Sequence, residues 1–132
     1  MWLLTRCDML RATAFAAAAS IAGLSGVGRA VAHHGWAWAT DKQFDLTGIV
    51  KAARLGNPHG EITLDANGEE WIAEVGQPWR NERAGLTREL LAVGTEVTVS
   101  GHRAKDPAKK LVKAERVIIA GKTYDLYPDR SS

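Results

Sequence analysis

Among its 132 residues the chain has one cysteine, Cys7, and none after it. No disulfide, thiolate zinc site or cysteine nucleophile can therefore belong to the region beyond the N-terminal stretch. Surplus charge is missing as well. Three of the 17 Lys and Arg and one of the 15 Asp and Glu fall in residues 1–32, which leaves 14 of each in the remainder. A groove for nucleic acid would need an excess of cations, so no nucleic-acid partner is expected. Between Arg29 and the C-terminal tail there is one serine, Ser100, in a strand-like context without a Gly-x-Ser-x-Gly elbow. No His-x-x-x-His pair and no glycine-rich phosphate loop occur. No catalytic residue is assigned, and enzyme activity is not expected.

What is present begins with a leader. Arg6 and Arg11 make the start basic, Ala12–Leu24 is an apolar run of 13 residues, and Ala30-Val31-Ala32 is a small-x-small site. That pattern predicts a Sec-type signal peptide over 1–32, too short in its apolar part to span a bilayer as a helix. No Arg-Arg pair suggests twin-arginine export. Periplasmic location, with no membrane span after cleavage, is the expectation.

The mature part divides into an arm (33–43), a domain (44–127) and a tail (128–132). The arm carries Trp36 and Trp38, which share parity and suit anchoring to the domain, with a stacking surface for a ligand as the alternative. Phe44–Leu55 is a long strand with Gly48 as a bend. Gly56-Asn57-Pro58-His59-Gly60 is turn-forming, and Glu61–Asp65 alternates polar and apolar residues. Asn67-Gly68 predicts a hairpin turn into Glu70–Val75, whose Trp71, Ala73 and Val75 face inward. Pro78 opens a helical turn, with Trp79 placed to cap the barrel. Thr87 is placed to cap a helix over Arg88–Leu91, which Gly94 ends. Strands follow at Thr95–Ser100, Lys110–Ile119 and Thr123–Tyr127. Lys105, Lys109, Lys110 and Lys113 read as a solvated loop and strand edge, and Glu61, Asp65, Glu70 and Glu74 as solvent-facing strand positions. The order fits an all-β, five- to six-stranded OB-like Greek-key barrel with a short helical segment between strands three and four. An SH3-like barrel or small sandwich is the alternative.

Several of these segments recur together. Ala32-His33-His34, Leu46-Thr47-Gly48-Ile49-Val50, Asn57-Pro58-His59, Gly85-Leu86-Thr87-Arg88 and Gly94–Gly101 (GTEVTVSG) resemble a family of small exported bacterial proteins, domain of unknown function family 6152. Gly35-Trp36 departs from the Ser and Phe that commonly follow the two histidines there. The resemblance implies an exported OB-like domain and no established activity.

Four histidines, His33, His34, His59 and His102, are the candidate metal ligands. Cleavage after Ala32 would make His33 the amino terminus, where amine and imidazole chelate one ion together. A further imidazole completes a nitrogen set that favours copper. His59 lies in the loop after strand one. His102 ends strand four, with the outward parity of Thr98 and Ser100, so the two can meet at one rim. The arm's 11 residues reach about 36–40 Å when extended, enough to return to that rim. The function expected is a periplasmic binding module, holding copper or another divalent metal. The alternative is a metal-free domain that contacts an envelope protein or a small ligand.

Overall fold

In the computed structural model, which describes residues 35–130, the alternating segments close into a barrel. Its elements are β1 (Phe44–Arg54), β2 (Glu61–Ala66), β3 (Glu69–Glu74), α1 (Pro78–Ala84), β4 (Glu96–Arg103), β5 (Leu111–Ile119) and β6 (Lys122–Asp125). The predicted leader, His33 and His34 lie outside the described residues. None of the described helices is long and apolar enough to cross a membrane.

β1 is long because it serves two neighbours. Phe44–Ile49 pairs with β4 and Ile49–Arg54 with β2, both antiparallel. Gly48 stands at the turn-over, where a Cβ would come 2.8 Å from the Asp65 carbonyl oxygen. A register shift between Val50 and Ala52 adds the bend that lets one strand belong to both halves. β2 and β3 form a hairpin whose turn residues, Asn67 (φ 54°) and Gly68 (φ 82°), have the left-handed geometry predicted for Asn-Gly. β3 then meets β5 in parallel at Ile72–Leu111, Ala73–Val112 and Glu74–Lys113. β5 pairs with β4, closing the ring β1-β2-β3-β5-β4, and β6 adds a sixth strand to the outer edge of β5. The result is an OB-like barrel with its helix between the third and fourth strands.

Inside sit Leu46, Val50, Ile62, Leu64, Trp71, Ala73, Val97, Val99, Val112, Ala114 and Val117. They come from every second position of their strands, except that β5 skips one more residue between Ala114 and Val117. Leu86 and Leu91 join the same core from the segment between α1 and β4.

That segment differs from expectation. Thr87 caps no helix: Glu89–Leu91 is a single 3-10 turn that starts from Arg88, with no side-chain cap. One i→i+3 bond, from Leu91 N–H to the Arg88 carbonyl (3.0 Å), suffices to turn Leu91 into the core before Gly94 (φ 93°) redirects the chain. Trp79 does not cap the barrel either, and is 51% exposed. The inward position of α1 is Asn81, two residues and about 200° further round the helix. Its side chain bonds both the N–H (2.9 Å) and the carbonyl (2.8 Å) of Gly76.

Candidate functional site

The β3–β5 and β4–β5 registers set Glu74, Lys113 and His102 side by side on the outer face of three adjacent strands. Between Ser100 and Gly101 the β4–β5 register slips, with Glu115 as the extra residue on β5. Gly101 permits this, since a Cβ there would fall 1.9 Å from the Lys113 carbonyl oxygen. Glu115 consequently points outward too, beside His102. Outward charged positions on a strand read as solvated in sequence. Here the expectation for Lys113 is overturned: it is 1% exposed, and Glu115 and His102 are buried with it.

The arm and the tail are the cover. The Trp36 ring meets Tyr127 edge-on at 5.1 Å and His102 at 6.0 Å. Arg130 lays its guanidinium 3.8 Å from the Trp36 centroid, and its Nε donates to Glu115 Oε1 at 3.2 Å. Arg116 donates to the Arg130 carbonyl (3.1 Å), which pins the tail. The arm continues as an antiparallel bridge between Ala39 and Ala104, with Thr40 N–H donating to the Arg103 carbonyl at 2.9 Å. Trp36 therefore anchors the arm, as its parity suggested.

Every charge beneath this cover has a partner. The Lys113 ammonium donates to Glu74 Oε1 and lies 5.3 Å from the Trp36 ring. His102 Nε2 is 2.7 Å from Glu115 Oε1, and its Nδ1 is 3.1 Å from the Lys42 carbonyl oxygen. Both ring nitrogens are thus engaged, one by a carboxylate and one by a backbone carbonyl. A metal at His102 would have to displace one of these bonds. Tyr127, buried in the same cluster, has its phenol pushed above its ordinary 10.0, chiefly by burial.

His59 is placed differently. Its loop is held by Arg54, which donates to the carbonyls of Asn57 (3.3 Å) and His59 (3.4 Å). The ring is partly open to solvent, with Nδ1 3.7 Å from Glu74 Oε1. Burial and the Lys113 charge lower its pKa below 6.5, against an upward pull from Glu74. At neutral pH the imidazole is uncharged and has a lone pair to offer.

His59 and His102 thus lie on one side of the barrel, with Glu74 and Lys113 between them. Two strand spacings, about 10 Å, separate the backbones of Glu74 and His102. Among the described residues no cluster of three or more His, Cys, Asp or Glu could hold a metal ion. Lys113 and Glu74 were expected to be solvated, and Glu115 and Tyr127 were not singled out in the sequence. The only signal for Lys113 and Glu115 was the alternation of charge with Val112 and Ala114, which an exposed strand shows as well.

A family profile described as "Family of unknown function (DUF6152)" matches residues 21–112, well over half of the chain. The chain belongs to the DUF6152 family. The match takes in the arm and the barrel as far as the start of β5, and so includes His33, His34, His59 and His102. No curated protein matches. Among solved structures, a complex of TiaS with tRNA and ATP is similar over 59% of this chain and 18% of that one, at 20% identity and TM-score 0.45. A ZRD-deleted TiaS mutant with agmatine is similar over 64% and 26%, at 18% identity and TM-score 0.48. The chain spans about a fifth to a quarter of the length of those structures.

Proposed function

We propose that this DUF6152 domain is an exported, periplasmic module that binds a divalent metal, copper by preference, where the arm crosses the barrel. The observation that carries the reading is the position of Trp36 over the Lys113–Glu74 pair that adjoins His59. His34 is two residues before Trp36 and His33 three. A terminus cut after Ala32 would add its own amine and the His33 imidazole to the nitrogen ligands on offer. His59 contributes a neutral nitrogen, and Glu74 offsets the Lys113 charge that would otherwise repel a cation. The leader pattern of Arg6, Arg11, Ala12–Leu24 and Ala30-Val31-Ala32 supports export. His33, His34 and His59 are the proposed ligands. His102 joins them only by releasing Glu115 or the Lys42 carbonyl, and otherwise holds the floor on which the arm rests.

The test is a Cu(II) titration of the chain expressed with its own leader and recovered from the periplasm, its N-terminus read by mass spectrometry. Affinity above that of a His-His-Gly peptide, lost on His59→Ala, is the expected result. Binding equal to the peptide overturns the proposal and leaves the metal-free module. That alternative contacts an envelope protein or a small ligand.

A further inference from the structure

Beside this cluster, on the other side of the arm, Trp38, Glu74, Ala104, Lys105, Asp106, Lys109 and Leu111 line a cleft of about 430 Å³. That volume suits a small molecule. The cleft is built before any ligand arrives. The Lys105 N–H donates to the Trp38 carbonyl (2.9 Å), and the Ala104 N–H donates to the Leu111 carbonyl (2.8 Å), closing the β4–β5 loop. Within that loop Asp106 accepts from the N–H of Ala108 through its carboxylate (3.0 Å) and from the N–H of Lys109 through its carbonyl (3.1 Å).

The charges then sort themselves. One Asp106 oxygen is committed to the turn and Glu74 to Lys113, while Lys110 pairs with Glu69 at 3.1 Å. Lys105 and Lys109 have no carboxylate within 4.0 Å among the described residues. Two uncommitted cations therefore flank a wall made of an indole, Leu111 and Ala104. The cleft over Ala53, Arg88 and Leu91–Val93 has a comparable volume but no aromatic side chain.

We infer that the Trp38–Lys105–Lys109 cleft is a binding site for a small aromatic carboxylate, its ring against the indole and Leu111 and its anion between the two ammonium groups. Aromatic faces reward offset or edge-on ring contact. The lysines add charge selectivity more than raw affinity, because both are exposed. None of the proposed metal ligands lines the cleft, and Glu74 is the one residue it shares with the copper reading.

The experiment titrates the exported, isotope-labelled protein with 2-naphthoate and, separately, with neutral 2-naphthamide, in EDTA so that metal binding plays no part. Amide and indole shifts are expected at Trp38 and across Lys105–Leu111, with the amide ligand bound more weakly. Replacing both Lys105→Gln and Lys109→Gln should weaken naphthoate about fivefold. Trp38→Phe, which keeps a ring and the arm's backbone bonds, should weaken it less than Trp38→Ala. The Thr40 amide, bonded to Arg103, reports whether the arm stays docked in each variant. Equal binding of the two ligands, shifts confined to another face, or no shift up to the solubility limit would overturn the assignment.

Discussion

The two faces of β5 are both buried, and by opposite chemistry. Inward, Val112, Ala114, Val117 and Ile119 pack with Leu64, Trp71 and Val99 in a core without charge. Outward, Lys113 and Glu115 are as well hidden, under Trp36, Tyr127 and Arg130, and are held by ionic hydrogen bonds. The inner face gains from every apolar atom taken out of water. The outer one recovers through pairing what its charges lose on desolvation, which makes a buried ion network weak as a source of stability and strict about its partners. An ordinary barrel needs only the first. The second supplies a seat for the arm, in which His33 and His34, two of the proposed metal ligands, stand three and two residues before Trp36.

Removing one member of the outer network should therefore cost as much as a hole in the core, or more. Glu115→Ala leaves His102 and Arg130 without their shared acceptor, and a loss of about 3–5 kcal/mol is expected by chemical denaturation. Leu64→Ala, a fully buried core truncation, should cost about 3 kcal/mol. If Glu115→Ala proves nearly neutral, the outer face is solvated in solution and the contrast fails. Trp36→Ala comes next, at about 2 kcal/mol, since the ring is only partly buried. Its signature should be local. Hydrogen exchange at Thr40 and Lys105, both bonded across the arm, should speed up while β1–β4 amides stay protected. Uniform loss of protection would mean that the arm is part of the barrel's own cooperative unit.

The same contrast explains what the sequence revealed. Strand-length alternation, Asn67-Gly68 and Pro78 announced the elements, and Trp71 was placed inside by parity alone. These signals are local, or rest on an apolar face against a single core. The outer cluster needs the β3–β5 register, the slip at Gly101 and the arm's return path, all set by residues far apart in the chain. Lys113 between Val112 and Ala114 follows the pattern of a solvent-facing position, and only a distant Trp36 makes it buried. Trp79 shows the converse. Its place at the start of the helical turn suggested a cap, but the seven-residue α1 turns Asn81 inward instead. Of the histidines, the outward parity of His102 was legible and its burial was not. His59 was placed by its turn, and its lowered pKa comes first from burial and then from the Lys113 charge, both supplied only by the fold.

Protonation separates the open rim from the covered cluster with the smallest expected effects, at opposite ends of the pH scale. His59, on the rim, has a folded pKa below its ordinary 6.5. The unfolded chain takes up that proton first, so the contribution of neutral His59 is complete above about pH 6.5 and is lost as pH falls through the folded value. Tyr127, under the cover, has a folded pKa above 10.0. Its contribution is complete below pH 10 and is lost as pH rises through the folded value. Stability measured against pH in EDTA should thus show an acid limb that flattens in His59→Gln and an alkaline limb that flattens in Tyr127→Phe. Imidazole resonances in proton NMR and phenolate absorbance assign each limb to its residue. Trp36→Ala, by uncovering Tyr127, should bring the phenol back toward 10 and leave the histidine closer to where it was. A histidine that shifts as far as the tyrosine in that variant would show that rim and cluster are one electrostatic unit, and that the arm tunes the proposed ligand as well as carrying its partners.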